Sequence, residues 1–192
     1  MQKIILASQS AQRRTLLEAL KIKFTVVPSN IDEKAITAVT QKERARLIAL
    51  AKAQKVAQEN PDAIVIAGDT FTYVAGVAYE KPNSLEEAKQ MLQEQSGKQG
   101  ICYTGCAYID RKNKIEYSGT IETTFIFREL SEAEIDLYVV NNPVTTWSAA
   151  FCPAYPEGIN MVRAVAGSLS AFSHGIPMEI VITLLTESGV FK

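Results

Sequence analysis

Apolar positions along this chain fall into short runs divided by polar turns, and their period changes from run to run. Residues 3–7 form a brief apolar run that stops at Ser8-Gln9-Ser10 and passes into Leu16, Leu17 and Leu20 at helical spacing, which predicts strand, polar turn, helix. Ser10 is placed to cap that helix. Arg13 and Arg14 then fall in its first turn, where a cation opposes the helix dipole and needs a partner elsewhere. Residues 24–27 predict a second strand, followed by a polar loop over 28–33. Residues 41–58 set Leu47, Ile48, Ala51, Val56 and Ala57 on one face with Lys and Arg opposite, an amphipathic helix. Residues 62–67 are continuously apolar, the pattern of a strand covered on both faces, and the expectation is that this strand ends at Gly68-Asp69-Thr70.

Residues 71–79 read as a hairpin turning at Ala75-Gly76, and Ser84 caps a helix that starts with Glu86 and Glu87 and stops at Ser96-Gly97. Two long strands over 101–109 and 114–127 flank Arg111-Lys112-Asn113, and Ser131 caps a helix running to about Val140. Residues 143–173 mix loop and short strand, and 178–186 close the chain as an apolar helix. This order predicts an α/β fold, a mixed sheet with helices on its faces. No repeat or linker divides the chain, so a single domain over 1–192 is expected.

Composition narrows the chemistry. Twenty Lys+Arg against 21 Asp+Glu leave a net charge of −1, without the basic excess that a nucleic-acid polymer demands of its binder. No apolar stretch nears the ~20 residues that span a bilayer, and the first run is too short for a signal peptide. Three cysteines make poor material for a disulfide framework or a four-ligand zinc site, so a reducing, cytoplasmic setting is expected. With His174 the one histidine, catalysis is expected to run on carboxylates and cations.

Three loops carry the candidates. Around Ser8, Gln12 and Arg13, hydroxyls, helix N–H groups and a guanidinium converge where an anion would sit, although a capped helix with solvated arginines gives the same pattern. Asp69 ends an apolar run, and a carboxylate there needs a partner, a metal or a function. With Asp32-Glu33 it offers oxygen ligands of the kind magnesium prefers. Lys81, extended before Pro82, is placed to reach a phosphate, and Lys52 lies near the apolar face of its helix, where snorkelling is the plain reading. Trp147 either covers a cleft, stacks a base or makes a surface or dimer contact.

These residues resemble a family. Leu6-Ala7-Ser8-Gln9-Ser10, Arg13, Leu16-Leu17, Ile31-Asp32-Glu33, Lys52-Ala53, Gly68-Asp69-Thr70, Lys81-Pro82, Ser96-Gly97, Thr104-Gly105, Phe127-Arg128-Glu129-Leu130-Ser131 and Gly175-Ile176-Pro177 stand in the order and spacing of the Maf-like nucleoside triphosphate pyrophosphatases. The resemblance implies an inosine-triphosphatase-like fold, two lobes about an elongated sheet with a central cleft, commonly a homodimer. It implies hydrolysis of a nucleoside triphosphate to the monophosphate and pyrophosphate with a divalent metal, Mg2+ or Mn2+. Asp69 would be the general base, Ser8, Arg13, Lys52 and Lys81 would bind phosphate, and Glu33 with Asp69 would hold the metal.

The chain also departs from the family pattern. Ala11-Gln12-Arg13 stands for Pro-Arg-Arg, with Gln12 at a position tied to base choice, and Glu80-Lys81-Pro82 stands for Gly-Lys-Pro. Thr70 agrees with the dTTP/UTP branch, but the base-recognition Gln or Glu of the family falls near Ala154. A divergent member is expected, its base preference open, with a non-catalytic nucleotide-binding protein as the alternative.

Overall fold

The computed structural model describes residues 2–191. In chain order it contains β1 (Ile4–Leu6), α1 (Ala11–Ala19), β2 (Thr25–Val26), α2 (Gln41–Glu59), β3 (Ile64–Val74), β4 (Val77–Tyr79), α3 (Leu85–Gln95), β5 (Gln99–Asp110), β6 (Ile115–Phe127), α4 (Glu132–Asn141), α5 (Pro156–Ile159), β7 (Val162–Ala166), α6 (Leu169–His174) and α7 (Met178–Glu187). A single-turn helix at Glu33–Ala35 precedes α2, and two more lie within 144–150. Hydroxyls at Ser10, Thr40, Ser84, Ser131 and Ser168 each accept a backbone N–H at a helix start, a cap worth about 1 kcal/mol apiece.

The strands form one mixed sheet in the order β2-β1-β3-β5-β6-β7, with β4 on the edge of β3. β1 lies parallel to β2 and β3, and every other pairing is antiparallel. Side chains alternate across the sheet. Ile64 and Ile66 pack with Leu17 of α1 and with Val181 and Leu185 of α7 on one face, while Val65 and Ala67 pack with Ala49, Ala53 and Val56 of α2 on the other. Beyond them a third cluster gathers Val74, Leu92, Phe125, Phe127, Phe151 and Phe172. Phe125 contacts Phe127, Phe151 and Phe172 at centroid distances of 5.3, 5.9 and 4.9 Å, pairs that add about 0.5–1.5 kcal/mol each beyond their buried area.

One expectation is overturned. The strand of residues 62–67 does not end at Gly68-Asp69-Thr70 but runs on to Val74. The turn-like local sequence loses to an eleven-residue ladder with β5, in which Asp69 pairs Gly105 and Thr70 pairs Thr104. On the opposite edge β1 pairs only Ile64–Ile66 and β4 only Thr72–Val74. Residues 67–71 therefore face a notch between two neighbouring strands, at the waist between the clusters. The tail is also more regular than expected, supplying α5, β7 and α6.

Candidate active site

Strand alternation places Asp69 on the α2 face of β3 and Thr70 on the α1 face, and a cation approaches each. Lys52 of α2 reaches Asp69 Oδ1 at 2.8 Å and Glu33 Oε1 at 2.9 Å. Lys52 and Asp69 are buried, so the plain reading of a snorkelling lysine does not hold. Glu33 is half-exposed, and the loop that carries it is held by Arg44, which donates from Nε to Ile36 O at 2.9 Å and from Nη2 to Glu33 O at 3.4 Å while lying 5.0 Å over the ring of Phe71. Asp32 turns away to cap the Glu33–Ala35 turn through Lys34 N and Ala35 N.

Arg13 works from the other side. Its three nitrogens donate to Gly175 O (Nε, 3.0 Å), Ser8 Oγ (Nη1, 2.9 Å) and Thr70 Oγ1 (Nη2, 3.0 Å). That explains a cation in the first turn of α1: its side chain leaves the helix for the notch. Arg14 instead pairs with Glu18 at 2.9 Å on the surface. Burial pushes the proton affinity of Arg13 down, and the carboxylates of Asp69 and Glu33 oppose that shift. Two glycines make the room. A Cβ on Gly68 would come within 3.1 Å of Arg13 Nε and 2.8 Å of Gly175 O, and one on Gly175, whose φ is +69°, within 2.8 Å of Thr70 Oγ1. The importance of the Gly175 carbonyl was not evident from the sequence, although Gly175-Ile176-Pro177 belongs to the quoted motif.

Gln12 accepts from Ser10 Oγ at 3.0 Å and donates from Nε2 to Tyr155 Oη at 3.4 Å. Lys81 is exposed and makes no ion pair among the described residues, so the structure does not join it directly to the Lys52–Asp69 pair. Its approach is nonetheless anchored, since Ala149 N donates to Glu80 O at 3.0 Å and Ser148 Oγ to Tyr79 O. Ala154 is half-buried against the third cluster. Among the described residues no three His, Cys, Asp or Glu form a metal-binding group, and no helix is long and apolar enough to cross a membrane.

The sequence profile of the Maf-like proteins matches residues 3–188. The chain belongs to the Maf-like protein family. Among the relatives of this Maf-like chain, a dTTP/UTP pyrophosphatase of Syntrophus aciditrophicus is 31% identical over 188 residues, covering 98% of this chain and 91% of that one. Another, of Bacillus cereus (strain G9842), is 40% identical over 141 residues, 73% of each chain. A HAM1 protein from Coxiella burnetii shares the fold with a TM-score of 0.53 at 19% identity, covering 97% of this chain and 100% of its own, and the Staphylococcus aureus Ham1 protein does so with 0.52 at 15%, covering 98% and 100%. The inosine-triphosphatase-like architecture expected from the motifs is thus the one observed.

His174 ends α6 beside Gly175, with Nδ1 2.7 Å from Ser173 Oγ. Burial holds its pKa below the ordinary 6.5. The unfolded chain then binds more protons between the two values, so stability rises with pH across that window and falls as the pH drops below about 6.5. Melting curves from pH 5 to 8 are expected to show this loss in the wild type and to show it diminished in His174→Gln.

Proposed function

We propose that the chain hydrolyses a nucleoside triphosphate to the monophosphate and pyrophosphate. The observation that carries this reading is the notch itself: one buried carboxylate, Asp69, paired with a buried ammonium on the α2 face of β3, and a guanidinium at the neighbouring Thr70 on the α1 face. Pyrophosphate release requires a water oxygen to form a bond to the α-phosphorus while the bond from that phosphorus to the α–β bridging oxygen breaks. Asp69 takes the water's proton, and Lys52 orients it through Oδ1, leaving Oδ2 without a hydrogen-bond partner among the described residues. Arg13 with Ser8, and Lys52 with Lys81, meet the charge on the phosphate oxygens, the electrostatic part of phosphoryl transfer. The dTTP/UTP pyrophosphatase names of the relatives support the same reaction class.

A divalent ion fits the donor set. Asp69 and Glu33 each give one carboxylate oxygen to Lys52 Nζ, and their second oxygens, which have no hydrogen-bond partner among the described residues, are the hard donors left for an ion. Magnesium or manganese would be held by these two residues together with phosphate oxygens. When bound, such an ion supplies charge stabilisation at the phosphates.

Incubating the protein with a panel of ordinary and modified triphosphates plus Mg2+ or Mn2+ is expected to give monophosphate and pyrophosphate in equal amounts. Release of orthophosphate, or no product from any member, overturns the reading. Thermal stabilisation by nucleotide without product would favour the binding-only alternative.

A further inference from the structure

We propose that Tyr155, backed by Trp147, is the platform on which this site stacks the nucleobase, so that base choice rests on ring stacking more than on hydrogen bonds to the base edge. The inference deepens the reading of the notch as a nucleoside triphosphate site and depends on it for the identity of the ligand. The rings of Trp147 and Tyr155 lie 5.3 Å apart between centroids at an interplanar angle of 27°. Trp147 is 8% exposed and packed into the third cluster, whereas Tyr155 is 39% exposed. The pair is therefore a stack with its inner ring in the core and its outer ring presented to solvent. A partly exposed ring held in place by a buried one is the kind of group on which a base stacks.

Its placement points to the same use. Tyr155 Oη accepts from Gln12 Nε2, and the next residue of α1 is Arg13, whose guanidinium faces Ser8 and Thr70 in the notch. The turn that follows Trp147 grips the backbone of Tyr79 and Glu80, immediately before Lys81. One segment thus sets both the approach of the proposed phosphate lysine and the aromatic platform. Gln12 and Tyr155 also meet across the waist, since α1 packs on the β1 end of the sheet and Trp147 on the far cluster. A triphosphate held by Arg13 lies next to this contact, because Gln12 precedes Arg13 in α1.

The chemistry of such a platform is permissive, because every base offers a π face. Gln12 Oε1 is engaged by Ser10, and its Nε2 keeps one further N–H to offer an acceptor on the base edge. Ala154, packed against the third cluster, brings no hydrogen-bonding side chain to this segment. Purine and pyrimidine triphosphates are therefore expected to bind within about tenfold of each other.

Trp147 is the one tryptophan of the chain, which supplies the test. Its emission is followed while the full-length protein in EDTA is titrated with UTP, ATP or inorganic tripolyphosphate. The expected result is a saturable change with both nucleotides and none with tripolyphosphate, which engages the cations but has no base. Tyr155→Ala and Tyr155→Leu are expected to weaken nucleotide binding by about tenfold or more while leaving tripolyphosphate affinity, read by titration calorimetry, within about twofold, and Tyr155→Phe to restore most of the loss. Circular dichroism confirms the fold of each variant, and two replacements keep the comparison open if one fails to fold. Nucleotide binding by Tyr155→Ala and Tyr155→Leu as tight as the wild type's, or an equal emission change with tripolyphosphate, overturns the proposal. If no triphosphate is hydrolysed, the hydrolytic reading fails while the EDTA titration still decides whether the platform binds a base.

Discussion

Asp69→Asn is expected to lower kcat by roughly 10²–10⁴-fold, the usual contribution of a general base, with KM changed only a few-fold. The substitution keeps shape and one acceptor. An amide oxygen still receives the ammonium of Lys52, now 2.8 Å from Oδ1, and Glu33 remains as the charged partner of that lysine at 2.9 Å. What is lost is the capacity to take a proton at the second oxygen and to serve as a hard anionic ligand. Because Asp69 lies within a strand paired on β5, its backbone has no freedom to bring another group into place. Steady-state kinetics with a responsive triphosphate, beside a melting curve showing the variant folded, decides the matter. A variant that retains more than a tenth of the wild-type kcat removes Asp69 from the role of base.

The sheet and its helices were legible because their signals are local. Ser10, Ser84 and Ser131 cap helices as their positions predict, and the alternation of residues 101–109 and 114–127 becomes the central hairpin of β5 and β6. The length of β3 was not legible, because Gly68-Asp69-Thr70 has turn chemistry and only the ladder with β5 holds it extended. That same misreading hid the notch, which is a property of where β1 and β4 stop rather than of any residue in β3.

Lys52, Asp69 and Arg13 are legible as candidates, yet from its place on α2 alone Lys52 is a surface-seeking side chain. Only the meeting of α2 with the odd-numbered face of β3 shows why an ammonium sits there. Residues 147–155 were opaque for a different reason. Ala149 and Ala150 both take left-handed φ angles, +61° and +54°, at positions where sequence rules look for glycine, and the turn depends on distant partners such as Gln95 and Glu80. The stack of Trp147 on Tyr155 follows from that turn, so neither ring could be assigned a neighbour in advance.

Lys52→Met is expected to reduce activity and to destabilise the fold by about 3–5 kcal/mol, since it leaves Asp69 buried without its counter-ion. For a chain of this size that corresponds to a fall of roughly 6–20 °C in Tm. Glu33 contributes little to the loss, because a half-exposed carboxylate is solvated when its partner goes. The double variant Lys52→Met/Asp69→Asn separates the two costs. If the penalty comes from an orphaned charge, removing the charge restores part of the stability, and the double variant melts above Lys52→Met alone while remaining inactive. A purely additive outcome, with the double variant the less stable, would mean that Lys52 stabilises α2 by packing its stem, and the pair would then carry no electrostatic weight. The expected coupling has a consequence for the site as a whole: stability that returns when Asp69 is neutralised while turnover does not separates what the pair does for the fold from what it does in the notch.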